Sequence, residues 1–104
     1  MITQSDMKIL NVAYYKLLSK YNCDIFHPVV FFMHSIIELA KSTNNNNMDG
    51  VSNILDEIGY YMKIYTGNVP DSVPDVLLCW DLCKTIVMPK VWHKSGIKTK
   101  LTRQ

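Results

Sequence analysis

The sequence predicts an all-α protein: a small antiparallel four-helix bundle with a basic, loosely ordered C-terminal extension. Three observations point there. Apolar residues recur at i, i+3, i+4 spacing over stretches too long for single strands. The breaks between these stretches are rich in Asn, Pro and Gly, which favour turns and helix ends. The one alternating run, Ile97, Thr99 and Leu101, has no partner strand, and an isolated strand is not stable. The chain of 104 residues is the size of one domain, divided here into a helical bundle over residues 1–94 and a basic tail over residues 95–104.

The first helix is expected from about Ser5 to Tyr21. Thr3 and Ser5 are both suited to cap it, and Asp6 favours a helix start electrostatically. Leu10, Ala13, Tyr14, Leu17, Leu18 and Tyr21 form its apolar stripe. After a break at Asn22–Asp24 comes the most apolar segment, His27–Ser42, expected to be the central helix. Pro28 fits its first position, where a missing N–H costs nothing, and Asp24 or His27 can cap it. Its polar residues His34, Ser35, Glu38 and Lys41 fall on one narrow face. A helix apolar around the rest of its surface is buried on several sides. A membrane span needs roughly 20 predominantly apolar residues, and this run is shorter and holds His, Ser and Glu.

Thr43–Gly50, with four consecutive asparagines, reads as a solvated, mobile loop. The third helix, Val51–Thr66, has the cleanest period: Val51, Ile54, Leu55, Ile58, Tyr61, Met62 and Tyr65. Gly59 lies inside it, either to admit a close neighbour or at a cost of roughly 1 kcal/mol against Ala. Gly67 suits its C-terminal side, and Ser72 with Asp75 resembles a capping box opening the fourth helix. The stripe Val76, Leu77, Trp80, Cys83 and Val87 carries that helix to Met88, where Pro89 is expected to stop it.

Charge is unevenly spread. Residues 1–81 hold five lysines against nine Asp and Glu, a balance of −4. Residues 82–104 hold Lys84, Lys90, Lys94, Lys98, Lys100 and Arg103 and no acid, a balance of +6. Such a segment binds nucleic acid, an acidic protein surface or an anionic membrane, or is merely solvated. Its lysines would contact phosphates, and Trp92 would stack on a base.

No catalytic, cofactor or metal motif is present. Cys79 and Cys83 share a helix face, but their spacing and apolar neighbours suit core residues better than zinc ligands. His34 and Glu38 stand at i, i+4 and suit a solvent-facing or interhelical hydrogen-bonded pair better than an acid–base dyad. Cys nucleophile chemistry with His93 as base lacks any local signature. The expectation is therefore a non-enzyme that binds and inhibits or adapts a partner protein. The alternative is a nucleic-acid-binding regulator using helix four and the tail. Partner contacts are expected at Tyr15 and Tyr60, which fall off the apolar stripes, and at Lys90, Trp92, Lys94, Lys98, Lys100 and Arg103. A short chain has a modest core, so a homo-oligomer is also compatible with the sequence. Three cysteines without a paired framework and no signal-like N-terminus suggest the cytoplasm. Ten lysines to one arginine, with ten isoleucines, suggest an AT-rich gene of the kind phages and other mobile elements carry.

Overall fold

The computed structural model describes the backbone of residues 1–68 and 73–95 and the side chains of residues 1–63 and 74–92. Every regular element in them is helical: α1 (Gln4–Lys20), α2 (Pro28–Asn44), α3 (Met48–Asn68), and a fourth helix made of α4 (Val73–Leu82), a π-helical turn (Cys83–Val87) and α5 (Met88–Ser95). The chain is an all-α bundle, and none of the described helices is long and apolar enough to cross a membrane. The basic extension from residue 96 lies outside the described residues, as does the expected Ser72 cap.

α2 is the centre. It packs against α1, α3 and each part of the fourth helix. Val29, Val30, Phe32, Met33, Ile36, Ile37, Leu39 and Ala40 are all buried, as the width of the apolar face requires. Ser35 departs from the expected polar face. It is buried against α3, its hydroxyl oxygen 3.1 Å from both the Phe31 carbonyl and a Glu57 carboxylate oxygen. The neighbours converge on α2 with Leu10 and Leu17 from α1, Val51, Leu55 and Ile58 from α3, and Val76, Cys79, Cys83, Val87, Met88 and Val91 from the fourth helix.

The helix ends are set by identifiable side chains. Thr3 caps α1 by accepting from the Asp6 N–H (3.1 Å). His27, not Asp24, caps α2, its Nδ1 accepting from the Val29 N–H (3.2 Å). Asp24 instead accepts from the Phe26 N–H within the preceding turn (2.9 Å). That turn passes through two left-handed residues, Asn22 and Cys23, both at φ 59°.

The asparagine run is not the long mobile loop expected from composition. α2 continues through Thr43, which is buried and donates to the Leu39 carbonyl (2.8 Å), to Asn44. The Asn44 side chain accepts from the Ile2 N–H (2.8 Å) and donates to the Ile2 carbonyl (3.0 Å), pinning the chain start. Asn46 takes the left-handed conformation at φ 57°. Asn47 accepts from the Gly50 N–H (3.1 Å) and so caps α3. A Cβ on Gly50 would stand 2.6 Å from the Asn47 amide nitrogen, whereas one on Gly59 would meet open space. Gly50, not Gly59, is the glycine in close approach, and a Cβ there would have to move the Asn47 side chain.

Pro89 does not end the fourth helix. The chain passes through it in helical form to Ser95. In a regular α-helix the proline ring would strike the Thr85 carbonyl four residues back. The π turn relieves this by adding a residue, with the Met88 N–H donating to the Cys83 carbonyl. The extra residue also changes register. Seven residues after Cys83, an α-helix would return Lys90 to the core face. With the π turn it returns Val91, which is buried, while Lys90 is only half-buried.

Candidate functional site: an aromatic row across three helices

Each of the first three helices carries two aromatic or imidazole rings at one level of the bundle. Tyr14 and Tyr15 come from α1, Phe31 and His34 from α2, and Tyr60 and Tyr61 from α3. Ring contacts run without a gap from one side to the other. Tyr15 stands 5.4 Å from Tyr14, which is 6.2 Å from His34. His34 is 6.3 Å from Phe31, Phe31 is 5.9 Å from Tyr61, and Tyr61 is 6.1 Å from Tyr60. These are the centroid separations of ordinary edge and offset contacts. Phe32, buried beneath, meets Tyr61 edge-on at 6.4 Å and fixes the row to the core.

The outer ends of the row are open. Tyr15 is 64% exposed and Tyr60 62%. The α1–α2 turn adds Ile25 and Phe26 beside the row, and Phe26 at 78% is the most exposed large apolar side chain among the described residues. Tyr14, Ile25, Phe26, Phe31 and His34 enclose a groove of about 150 Å³.

Two carboxylates are built into this surface. Glu38 Oε1 lies 3.5 Å from His34 Nε2 and 3.5 Å from Lys41 Nζ, and all three side chains are well exposed. Glu57 accepts from Ser35 and is hydrogen-bonded to the Tyr61 hydroxyl. Burial pushes the Tyr61 phenol above its ordinary range, and the Glu57 carboxylate beside it pushes the same way. Tyr61 therefore stays a neutral donor.

At the α1 end of the bundle is a second polar cluster. Lys20 bridges to Asp75 at 2.7 Å, and the Tyr21 hydroxyl donates to the same carboxylate oxygen. Tyr21 in turn stacks on the capping His27, with centroids 3.8 Å apart. This ties the end of α1, the start of α2 and the first turn of α4 together, a mechanical role.

The other candidates fall elsewhere. Cys79 and Cys83 are buried, and burial pushes both thiols up to about 12, with the Asp75 charge adding to Cys79 and Cys79 adding to Cys83. Both are neutral core groups at neutral pH. Among the described residues no three His, Cys, Asp or Glu side chains gather into a metal-sized group. Lys90 and Trp92 sit on α5, far along the fourth helix. Trp92 packs against the core with its indole N–H buried and without a hydrogen-bond partner among the described residues, so its ring is not a free stacking platform. The side chains of His93 and Lys94 lie outside those described, and Lys98, Lys100 and Arg103 lie outside the described residues altogether.

Of the residues expected to meet a partner, the structure thus joins Tyr15 and Tyr60 through four intervening rings and leaves Lys90 and Trp92 apart from them. Phe26 and Phe31 join the surface although the helical periods do not mark them, and His34, expected on the polar face beside Glu38, joins it as well. Comparison with known protein families, with curated proteins and with solved structures finds no match to this chain.

Proposed function

We propose that this is a non-catalytic protein that docks a partner protein on the aromatic row and thereby inhibits or adapts that partner. The observation that supports this reading is the unbroken row of rings with its ends exposed. At about 200 Å² per aromatic side chain, the open parts of Tyr15, Phe26, Phe31 and Tyr60 present about 500 Å² of ring surface. That is at the upper end for a patch on a monomer, and more than half of the roughly 800 Å² each side contributes to a standard interface. Interface cores are enriched in Tyr and Phe and poor in charge, with charged groups at the rim. Glu38, Lys41 and Asp24 stand where such a rim would be. The three free cysteines suit action in the cytoplasm, and the Lys- and Ile-rich composition suits a mobile-element gene.

The test is affinity capture from nuclease-treated extract of the source cells, using the native chain and a Tyr15→Ser/Tyr60→Ser chain. Both tyrosines are exposed, so the variant should melt like the native protein. A protein partner retained by the native chain and lost by the variant is the expected result. Partners that bind both chains equally would refute the row as the docking site.

A second reading rests on the charge balance of +6 after Asp81. If nucleic acid is the partner, truncation after Lys94 should weaken duplex DNA binding uniformly across sequences. The salt slope should shrink by about 0.9 for each phosphate that the shortened chain no longer neutralises. Weak binding of the full chain to random duplex at physiological salt, unaltered by truncation, is what the protein-partner reading expects.

A further inference from the structure

We propose that the aromatic row receives a proline-rich segment carrying a basic residue, bound in the polyproline II conformation. This rests on the reading of the row as a protein-docking surface and names the chemistry of what docks there.

The geometry comes first. The row crosses three packed helices, and neighbouring helix axes lie about 8–10 Å apart, so it spans about 20 Å. A polyproline II segment rises about 3.1 Å per residue, so about seven residues cover that span. Such a segment has no internal hydrogen bonds and offers free carbonyls, which the exposed Tyr15 and Tyr60 hydroxyls can meet as donors. Prolyl rings pack on aromatic faces, and the groove between Tyr14, Phe31 and His34 is the size of a single apolar ring or side chain. The segment is preformed, so little entropy is lost on binding.

Charge then selects among occupants. The carboxylates Glu38 and Glu57 are bonded to members of the row, and Asp24 stands exposed two residues before Phe26. Lys41, two turns beyond His34 on α2, shares the Glu38 carboxylate with it. Residues 4–68, which span the three helices that carry the surface, hold six Asp and Glu against five lysines, a balance of −1. Carboxylates within a ring row oppose a phosphate backbone and favour a guanidinium or ammonium, which the tyrosine faces also attract. Single-stranded nucleic acid needs the reverse, a positive groove beside its stacking rings.

The experiment is an amide chemical-shift titration of the full chain with a peptide of ten prolines flanked by one arginine at each end. Saturable shifts are expected at Tyr14, Tyr15, Phe31, His34, Tyr60 and Tyr61. The Tyr15→Ser/Tyr60→Ser chain should bind about tenfold more weakly or worse, as removal of two interface aromatics implies. A peptide flanked by glutamate should also bind more weakly. Four results would overturn the proposal: no saturation up to about 1 mM peptide, equal binding of an arginine-flanked Gly–Ser peptide, equal or tighter binding of oligothymidylate at the row, or row shifts that change on dilution of the protein alone, which would identify a second copy as the occupant. If the proline peptide fails while capture of a partner still depends on Tyr15 and Tyr60, the docking reading stands and the proline-rich assignment falls.

Discussion

The π turn in the fourth helix can be dissected by a deletion and a substitution made singly and together. Two causes for the turn are present in the structure, Pro89 and the register of the apolar stripe, and they predict different outcomes. If Pro89 alone forced the turn, Pro89→Ala would let the helix regularise. A regular helix would carry Lys90 toward the core in place of Val91 and rotate Met88 outward, although Val91 and Met88 are each only 1% exposed. Exposing both would cost about 1.5–3 kcal/mol apiece, far more than a π turn. Pro89→Ala should therefore keep the turn and shift stability by no more than about 1 kcal/mol. Deleting Thr85, an exposed residue within the turn, removes the extra residue and restores the α register with Val91 still inward. It also brings the Lys84 carbonyl four residues before Pro89, where the ring clashes at a cost of about 3 kcal/mol. Deletion together with Pro89→Ala should return stability to within about 1 kcal/mol of the native chain, a coupling of about 3 kcal/mol. Urea melts of the four proteins give these values directly, provided the m-values agree. A double variant as unstable as the deletion alone, or a Pro89→Ala chain with Lys90 buried, would refute the register argument.

Ile37→Asp or Ile58→Asp should each abolish the cooperative melt, because an unpaired carboxylate would replace a buried side chain, whereas Glu38→Ala on the rim should be mild. Gly59→Ala should raise stability by about 1 kcal/mol, since its Cβ would meet nothing; Gly50→Ala should give no such gain, since its Cβ would displace the capping Asn47. The Asp75 carboxyl is pushed up by its partial burial, but the hydrogen bonds from Lys20 and Tyr21 and the Lys20 charge outweigh this and hold it below its ordinary value. Its contribution is therefore fully present above the unfolded carboxyl pKa of about 3.9 and is lost as pH falls through the lower folded value. Stability measured from pH 5 downward should fall less steeply in Asp75→Asn than in the native chain.

The bundle is legible in the sequence because its core positions repeat with the helix period. The wide apolar face of α2 predicts burial on several sides, and Pro28 and Thr3 mark helix starts that the structure uses. Two features escape such a reading. The asparagine run looks like a loop because Asn favours turns in general, but here three successive needs consume it: Asn44 clamps the Ile2 backbone, Asn46 supplies a left-handed residue and Asn47 caps α3. Composition cannot separate a solvated asparagine from one with a tertiary partner 42 residues away. The fourth helix reads as ending at Met88 because Pro89 ordinarily stops a helix, and the stripe changes phase by one residue at the π turn, so nothing beyond Pro89 restores the reading. A period-3.6 template sees Lys90 where Val91 belongs.

The aromatic row is half legible, and the missing half has a signal. Tyr15 and Tyr60 stand out because each lies off its helix stripe next to a tyrosine that lies on it. The same doublet occurs on α2 as Phe31–Phe32, where the helix is so apolar that no stripe edge separates the two rings. In all three doublets the structure turns one ring toward the core and leaves its neighbour on the surface: Tyr14 and Tyr15, Phe32 and Phe31, Tyr61 and Tyr60. Adjacent helical residues point about 100° apart, so a doublet at the edge of an apolar stripe must do this. The inward ring anchors, and the outward ring is held against it by an edge or tilted contact, as between Tyr14 and Tyr15 and between Tyr60 and Tyr61. One doublet is common in any helix. Three on consecutive helices meet only if the loops bring them to one level, and loop geometry is what the sequence conceals. Here the two left-handed residues of the α1–α2 turn and the Asn46–Asn47 corner set those levels. Replacing Asn46 with a β-branched residue should therefore disturb the contact of Phe31 with Tyr61 before it disturbs the core, and the Tyr61 ring resonances would report it.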